Sequence, residues 1–109
     1  MKKFNDAFNG IRIALGHKSI VIQIVLGIFA IIGGIIIKLD YYEWLAFIIC
    51  ISLVITCEIL NTVIEYIGNY LNKNYDENIK RIKDLASASV LIASIGALVV
   101  CIACVIRRF

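Results

Sequence analysis

Residues 44–65 read WLAFIICISLVITCEILNTVIE, an apolar run that ends in three spaced polar side chains. No charged residue interrupts the first part of this stretch, which predicts a helix within a membrane. Glu58, Asn61 and Glu65 are three and four residues apart, so an α-helix places them on one face. Because an ionisable group inside a membrane span is costly and usually functional, the stretch predicts a functional site at one end of the helix.

The composition agrees with a membrane protein. The chain has 109 residues, of which 61% are hydrophobic and 17% are charged. A soluble domain of this length cannot bury that much apolar surface. The chain contains no proline, so long helices can run unbroken. Its net charge of +3 is small and its basic residues are scattered, which argues against a nucleic-acid partner.

We expect one all-α integral membrane domain over residues 1–109, with a surface helix followed by three membrane spans. The surface helix covers 1–18 and the spans cover 19–38, 43–71 and 80–107. In the surface helix, apolar side chains recur at helical spacing, as in helices that lie in the plane of the membrane interface. These side chains are Phe4, Ala7, Phe8, Ile11 and Leu15.

The distribution of basic residues predicts the orientation. Those expected on one side of the membrane are Lys2, Lys3, Arg12, Lys18, Lys73, Lys80, Arg81 and Lys83. Those expected on the other side are Lys38, Arg107 and Arg108. The positive-inside rule therefore predicts a cytoplasmic N-terminus in a bacterial inner membrane.

The four cysteines all lie within apolar runs. Cys101 and Cys104 form a CxxC pattern, which occurs in metal and redox sites. No second CxxC or nearby histidine supports such a site, so we interpret Cys50, Cys57, Cys101 and Cys104 as packing residues.

Polar residues of the second and third spans are predicted to meet at the cytoplasmic surface. Lys83 and Asp84 begin the third span at a depth similar to that of Glu58, Asn61 and Glu65. Carboxylates and an amide can hold Mg²⁺, and an ammonium group can meet phosphate charge. A carboxylate near the lipid boundary can take a proton from a lipid hydroxyl. The alternative is that Glu65 and Asp84 are ordinary helix-end residues and that Lys83 is an interfacial anchor.

These residues resemble a known family. EILNTVIE at 58–65, followed by KDLASASVLIAS at 83–94, is similar to the prokaryotic diacylglycerol kinases, which are small membrane lipid kinases. FNDAFNGI at 4–11 and the EWL of the first loop resemble the Gram-positive undecaprenol kinase branch. The resemblance implies a homotrimer with active sites between chains. It also implies γ-phosphoryl transfer from Mg-ATP to a lipid alcohol, either undecaprenol or diacylglycerol.

The resemblance also implies roles for individual residues. Glu58 matches the general base near the lipid hydroxyl, and Glu65 matches a metal ligand. The predicted ATP-binding residues are Asn61, Lys83, Asp84, Lys18 and Arg12.

Three positions depart from the family pattern. Lys18 replaces a glutamate that helps to hold metal, Asn69 replaces an aspartate, and Asp76 replaces a histidine. Because a cation repels Mg²⁺, Lys18 leaves three interpretations open. In the first, Lys18 contacts ATP phosphate directly. In the second, another residue supplies the metal-ligating oxygen that the glutamate would have given. In the third, the protein is a weak or inactive relative. The residues considered for that oxygen are Asp76, Glu77 and Asp6.

Two other functions compete with an active lipid kinase. One is a catalytically impaired relative that acts as a membrane subunit, for which Lys18 and Asn69 are the support. The other is a small proton-coupled transporter, a class that carries a glutamate within the membrane but generally has four spans.

Overall fold

The computed structural model describes residues 2–71 and 76–109, which form four α-helices. Helix α1 covers Lys2–Ala14, α2 covers Lys18–Ile37, α3 covers Tyr41–Leu71, and α4 covers Glu77–Ile106. Part of the predicted polar connection, residues 72–75 with Lys73, lies outside the described residues. Helices α2, α3 and α4 are long and apolar enough to cross a membrane, which confirms the expected all-helical class with three apolar spans.

The two longest helices pack against each other. Helices α3 and α4 contain 31 and 30 residues. At 1.5 Å per residue each is about 45 Å long, so each exceeds the ~30 Å hydrocarbon core. Helix α2, with 20 residues, is just long enough to span and packs against α3. Helices α3 and α4 therefore have turns that extend into the membrane interface, and these turns carry the polar side chains.

Helix α1 ends at Ala14, earlier than the limit of 18 expected for the surface helix. The amide of Gly16 bonds to the carbonyl of Ile13, and the amide of His17 bonds to that of Ala14. These tight turns lead to an extended backbone at His17, with φ −98° and ψ 124°. The new helix then begins at Lys18, so the chain changes direction between α1 and α2.

A short turn joins α2 to α3. Lys38 adopts a left-handed conformation with φ 60°, and the amides of Lys38 and Leu39 bond back to Ile35 and Gly34. This paired closure is the Schellman motif, which satisfies carbonyls at a helix end. Glycine fits at position 34 because an added Cβ would lie 2.7 Å from Cδ1 of Leu39.

Reciprocal caps define the start of α3. The amide of Glu43 donates to Oδ1 of Asp40 at 3.0 Å, and the amide of Asp40 donates to Oε1 of Glu43 at 3.1 Å. This capping box satisfies backbone donors at the helix start. It explains why α3 begins at Tyr41, two residues before the predicted span.

Arg108 connects this cap to the end of α4. Its guanidinium donates two hydrogen bonds to the Glu43 carboxylate, at 2.5 and 2.7 Å. It also donates to the carbonyls of Ile37, Lys38 and Cys104. The hydrogen bonds with Glu43 raise the pKa of Arg108 above its ordinary value, so Arg108 stays charged. One guanidinium thus ties together the ends of three helices.

The interior of the chain is small for its apolar content. Leu39, Phe47 and Cys104 form a buried cluster near the Arg108 end. All four cysteines are free thiols. Only 6% of the most apolar 18-residue stretch of α4 is buried within the described chain. Most of the apolar surface is therefore available to lipid or to other helices, as expected for a membrane protein.

Candidate functional site

Glu58 lies in the polar part of α3 and is 6% exposed. Across residues 2–71 and 76–109, its carboxylate makes no hydrogen bond and no ion pair. Buried charged groups are normally paired, because removing a charge from water is costly. An unpartnered buried carboxylate is therefore a strong candidate for chemistry rather than for structure.

Two neighbours of Glu58 are also buried polar groups. The hydroxyl of Thr62 donates to the backbone carbonyl of Glu58 at 3.0 Å, which satisfies that side chain locally. The carbonyl oxygen of the Asn61 side chain is buried and has no hydrogen-bond partner. The site therefore contains a buried, unsatisfied amide oxygen beside a carboxylate that has no partner among the described residues.

Helical periodicity directs the side chains of Asn61 and Thr62 toward different neighbouring helices. At about 100° per residue, Thr62 and Asn61 lie on opposite sides of Glu58. Thr62 lines a cavity against α1, whereas Gly68, further round on the side of Asn61, packs against Lys83 of α4. Glu58 thus lies between the face of α3 that meets α1 and the face that meets α4.

Lys83 of α4 contacts α3 about one helical turn after Glu65. Its aliphatic chain crosses Gly68, where an added Cβ would lie 2.9 Å from Cε. Its ammonium group donates to the side-chain oxygen of Asn69 at 2.6 Å. The structure therefore pairs Lys83 with Asn69, the residue found where the resemblance expects an aspartate, and not with Asn61 or Glu65.

Asp84 faces away from this contact. Its carboxylate accepts a hydrogen bond from Lys80 at 2.8 Å, one turn earlier on α4, and both side chains are largely exposed. Such exposed pairs contribute little to stability, about 0.3–0.5 kcal/mol. The carboxylate is therefore accessible from the solvent side of α4.

Asp76 and Glu77, two of the residues considered as replacements for the missing metal ligand, have partners within α4. Asp76 caps α4, with Oδ1 accepting from the amides of Asn78 and Ile79 at 2.8 and 3.2 Å. Glu77 pairs with Arg81 at 3.2 Å. These contacts explain why α4 begins at Glu77, three residues before the predicted span. They also give both acidic side chains a role in the helix start.

Lys18 and Arg12 are exposed on neighbouring segments. Lys18 is the first residue of α2, and Arg12 lies in the last turn of α1. In the described part of the chain neither side chain forms a hydrogen bond or an ion pair. Both cations are therefore available to a ligand at the surface.

A single chain offers few ligands for a metal ion. No group of three or more Asp, Glu, His or Cys side chains within 2–71 and 76–109 could hold one. Glu65 is exposed, and the Asn61 oxygen one turn before it is unsatisfied. This small set of hard oxygens fits Mg²⁺, which usually binds one or two carboxylates and completes its shell with water and phosphate.

A cavity of about 410 Å³ lies between α1 and α3. Its lining is mostly apolar, with Ile59 and Val63 on the α3 side and Ile11 on the α1 side. Ile59 follows Glu58 directly, and Thr62 lies one turn beyond it. The cavity is therefore lined by residues of the same turn of α3 that carries Glu58.

The sequence pattern of one family matches residues 5–105, nearly the whole chain. That family is described as prokaryotic diacylglycerol kinase. The chain belongs to the prokaryotic diacylglycerol kinase family. No curated protein sequence matches it. As a member of this family, the chain is placed among the membrane lipid kinases of the bacterial inner membrane, which use ATP and a divalent metal.

Two contacts of this diacylglycerol kinase family member were not predicted. Glu43 lies at the start of the predicted second span with no role assigned to it, yet it is buried and bound to Arg108. His17, to which the sequence assigns no role, contacts Tyr66 of α3. Tyr66 lies eight residues after Glu58 and four after Thr62, and this spacing was the available signal that it faces α1.

Proposed function

We propose that this protein is a membrane lipid kinase that transfers the γ-phosphate of Mg-ATP to the hydroxyl of a lipid alcohol. The candidate acceptors are undecaprenol and diacylglycerol, and the resemblance to the Gram-positive branch favours undecaprenol. The observation that carries the proposal is Glu58, a buried carboxylate without a partner in the described chain. The family assignment favours this function over a transporter.

In this proposal Glu58 is the general base. The acceptor hydrocarbon occupies the cavity between α1 and α3, which brings the lipid hydroxyl to Glu58. The carboxylate takes the hydroxyl proton as the oxygen attacks the γ-phosphorus and the bond to the β-phosphate oxygen breaks. Glu58 is suited to this step because no cation or donor within the described residues holds its oxygens.

Glu65 and Asn61 are the proposed oxygen ligands for Mg²⁺ on the adjacent face of α3. Bound Mg²⁺ would neutralise phosphate charge during transfer. Lys83, Asp84, Lys18 and Arg12 are the proposed ATP contacts. Lys83 can reach phosphate only by leaving Asn69, so ATP binding and the Lys83–Asn69 hydrogen bond are expected to compete.

The proposed assembly is a homotrimer with sites shared between chains. Its support is the scarcity of metal ligands among the described residues of one chain and the large apolar surface left on α2 and α4. In the proposed orientation the N-terminus and the start of α4 face the cytoplasm, where ATP is present. Helix α1 would then lie along that surface, because Phe4 and Phe8 are exposed on it.

A catalytically impaired relative remains the second candidate. The observation that favours it is Lys18, an exposed cation without a partner in the described residues, where the family has a metal-binding glutamate. Such a subunit would keep the fold and bind the membrane without turnover.

The test is phosphate transfer in mixed micelles. Purified protein receives labelled ATP and Mg²⁺ with undecaprenol, diacylglycerol or no lipid alcohol. The proposal predicts label in the lipid fraction only when an alcohol is present. A folded protein that labels neither lipid would contradict the kinase and favour the impaired relative.

A further inference from the structure

His17 and Tyr66 join two distant parts of the chain. The Tyr66 hydroxyl and Nε2 of His17 share a hydrogen bond of 2.5 Å. Their rings meet edge to face, with centroids 5.3 Å apart. The two residues are 49 positions apart in sequence, so the contact is tertiary and not a consequence of local helix geometry.

The backbone around His17 directs this side chain toward α3. His17 occupies the N-cap position of α2, where side chains usually accept a hydrogen bond from the helix start. Its imidazole makes no such cap. The imidazole instead reaches Tyr66, while the backbone of His17 bonds to Ala14 and Val21. One residue thus links the end of α1, the start of α2 and the polar part of α3.

The same two residues line the cavity between α1 and α3. Most of the remaining lining is apolar, and Thr62, the other hydrogen-bonding side chain there, donates to the Glu58 carbonyl. Among residues 2–71 and 76–109, the His17–Tyr66 hydrogen bond is therefore the side-chain hydrogen bond that joins the two sides of an otherwise apolar cavity. Without it, α1 has mainly apolar contacts to hold it in place over α3.

We propose that the His17–Tyr66 pair is a latch that holds α1 as one wall of the acceptor cavity. The inference rests on the proposed function, since it assigns the cavity to the lipid alcohol. Both are positioning residues, because they act by fixing α1. A loosened α1 would bind the hydrocarbon chain less tightly. Of the proposed ATP contacts, Arg12 and Lys18 lie beside the pair and would be affected, whereas Lys83 and Asp84 on α4 would keep their positions.

Tyr66→Phe is the sharpest variant because it removes only the hydroxyl and keeps the ring in the cavity wall. Loss of one hydrogen bond is expected to raise the KM for the lipid about fivefold. The KM for ATP is expected to rise by less than the KM for the lipid, because only two of the proposed ATP contacts, Arg12 and Lys18, lie beside the pair. A general loss of folded protein would lower the apparent kcat and leave the lipid KM unchanged, so this split separates positioning from instability.

Tyr70→Phe is the matched control. Tyr70 lies one turn further along α3, is 91% exposed, and has no hydrogen bond within the described residues. The Tyr70→Phe variant should have the same KM for the lipid and for ATP as the unmodified protein. His17→Gln should restore part of the lipid affinity lost in His17→Ala, because the glutamine amide can again bond to the Tyr66 hydroxyl.

Hydrogen–deuterium exchange tests the latch without using activity. Tyr66→Phe should accelerate exchange in residues 2–14 about fivefold and leave residues 77–106 unchanged. Equal exchange of α1 in both proteins, or an unchanged lipid KM, would overturn the latch. If the unmodified protein transfers no phosphate, the proposed function fails, and the exchange rates of α1 still decide whether the latch exists.

Discussion

Glu43 and Glu58 are equally buried on the same helix, each 6% exposed, but only Glu43 has a partner for its carboxylate. The Glu43 carboxylate accepts two hydrogen bonds from Arg108 and one from the amide of Asp40. Within the described chain the Glu58 carboxylate accepts none. The same helix thus carries one glutamate suited to hold the structure together and one suited to react.

The Glu43–Arg108 pair is expected to control stability. Arg108→Lys removes the planar fork that binds both carboxylate oxygens and reaches three carbonyls, so it should lower the thermal unfolding midpoint in detergent by several degrees. Arg107→Lys is the control: Arg107 pairs with Asp40 at 3.2 Å and lies 3.7 Å from the Glu43 carboxylate, without a hydrogen bond to it. Because Arg107 is largely exposed and its side chain reaches no backbone carbonyl of the described residues, this change should have a smaller effect. Equal midpoints for the two variants would contradict the structural role of Arg108.

Lys18 is expected to weaken metal binding. Lys18→Glu should lower the Mg²⁺ concentration for half-maximal phosphate transfer about tenfold, or ~1.4 kcal/mol, by replacing a repelling charge with an oxygen ligand. An acidic residue at the start of α2 should also stabilise the helix by ~0.3–1 kcal/mol. Lys18→Gln separates the two effects, because it removes the charge without adding a carboxylate. Because Lys18 is also a proposed ATP contact, a lower rate in both variants would show that this contact outweighs the effect of Lys18 on metal binding.

Asp76 is expected to be a helix cap and not a metal ligand. Asp76→Ala should cost about 1 kcal/mol of stability, since it leaves the amides of Asn78 and Ile79 without their acceptor. Asp76→Ser can still cap α4 and should retain both stability and the Mg²⁺ dependence of transfer. The Mg²⁺ titration of the serine variant decides the point, because a large rise in the required Mg²⁺ would assign Asp76 to the metal site.

The local features of this protein are those that could be predicted from its sequence. Long apolar runs indicate three spans because length and hydropathy alone determine whether a helix can cross a membrane. The spacing of Glu58, Asn61 and Glu65 placed them on one face because helical periodicity is local. Helix ends were less accurate, since they depend on caps such as those of Asp40 and Asp76.

The long-range contacts could not be predicted in the same way. Glu43 meets Arg108 only because the end of α2, the start of α3 and the end of α4 lie at the same level. Lys83 meets Asn69 rather than Asn61 because the packing of Gly68 sets the register of α4 along α3. The register between two helices depends on how all the helices pack together, so no local sequence pattern predicts it.

The central claim is that Glu58 performs chemistry whereas Glu43 maintains the fold. The most direct measurement compares phosphate transfer by Glu58→Gln and Glu43→Gln, per mole of folded protein, with undecaprenol and with diacylglycerol. The account predicts that Glu58→Gln loses about a hundredfold or more in rate with no loss of thermal stability. Glu43→Gln should unfold at a lower temperature and keep its rate within about twofold. A Glu58→Gln variant that transfers phosphate at the rate of the unmodified protein would contradict the claim.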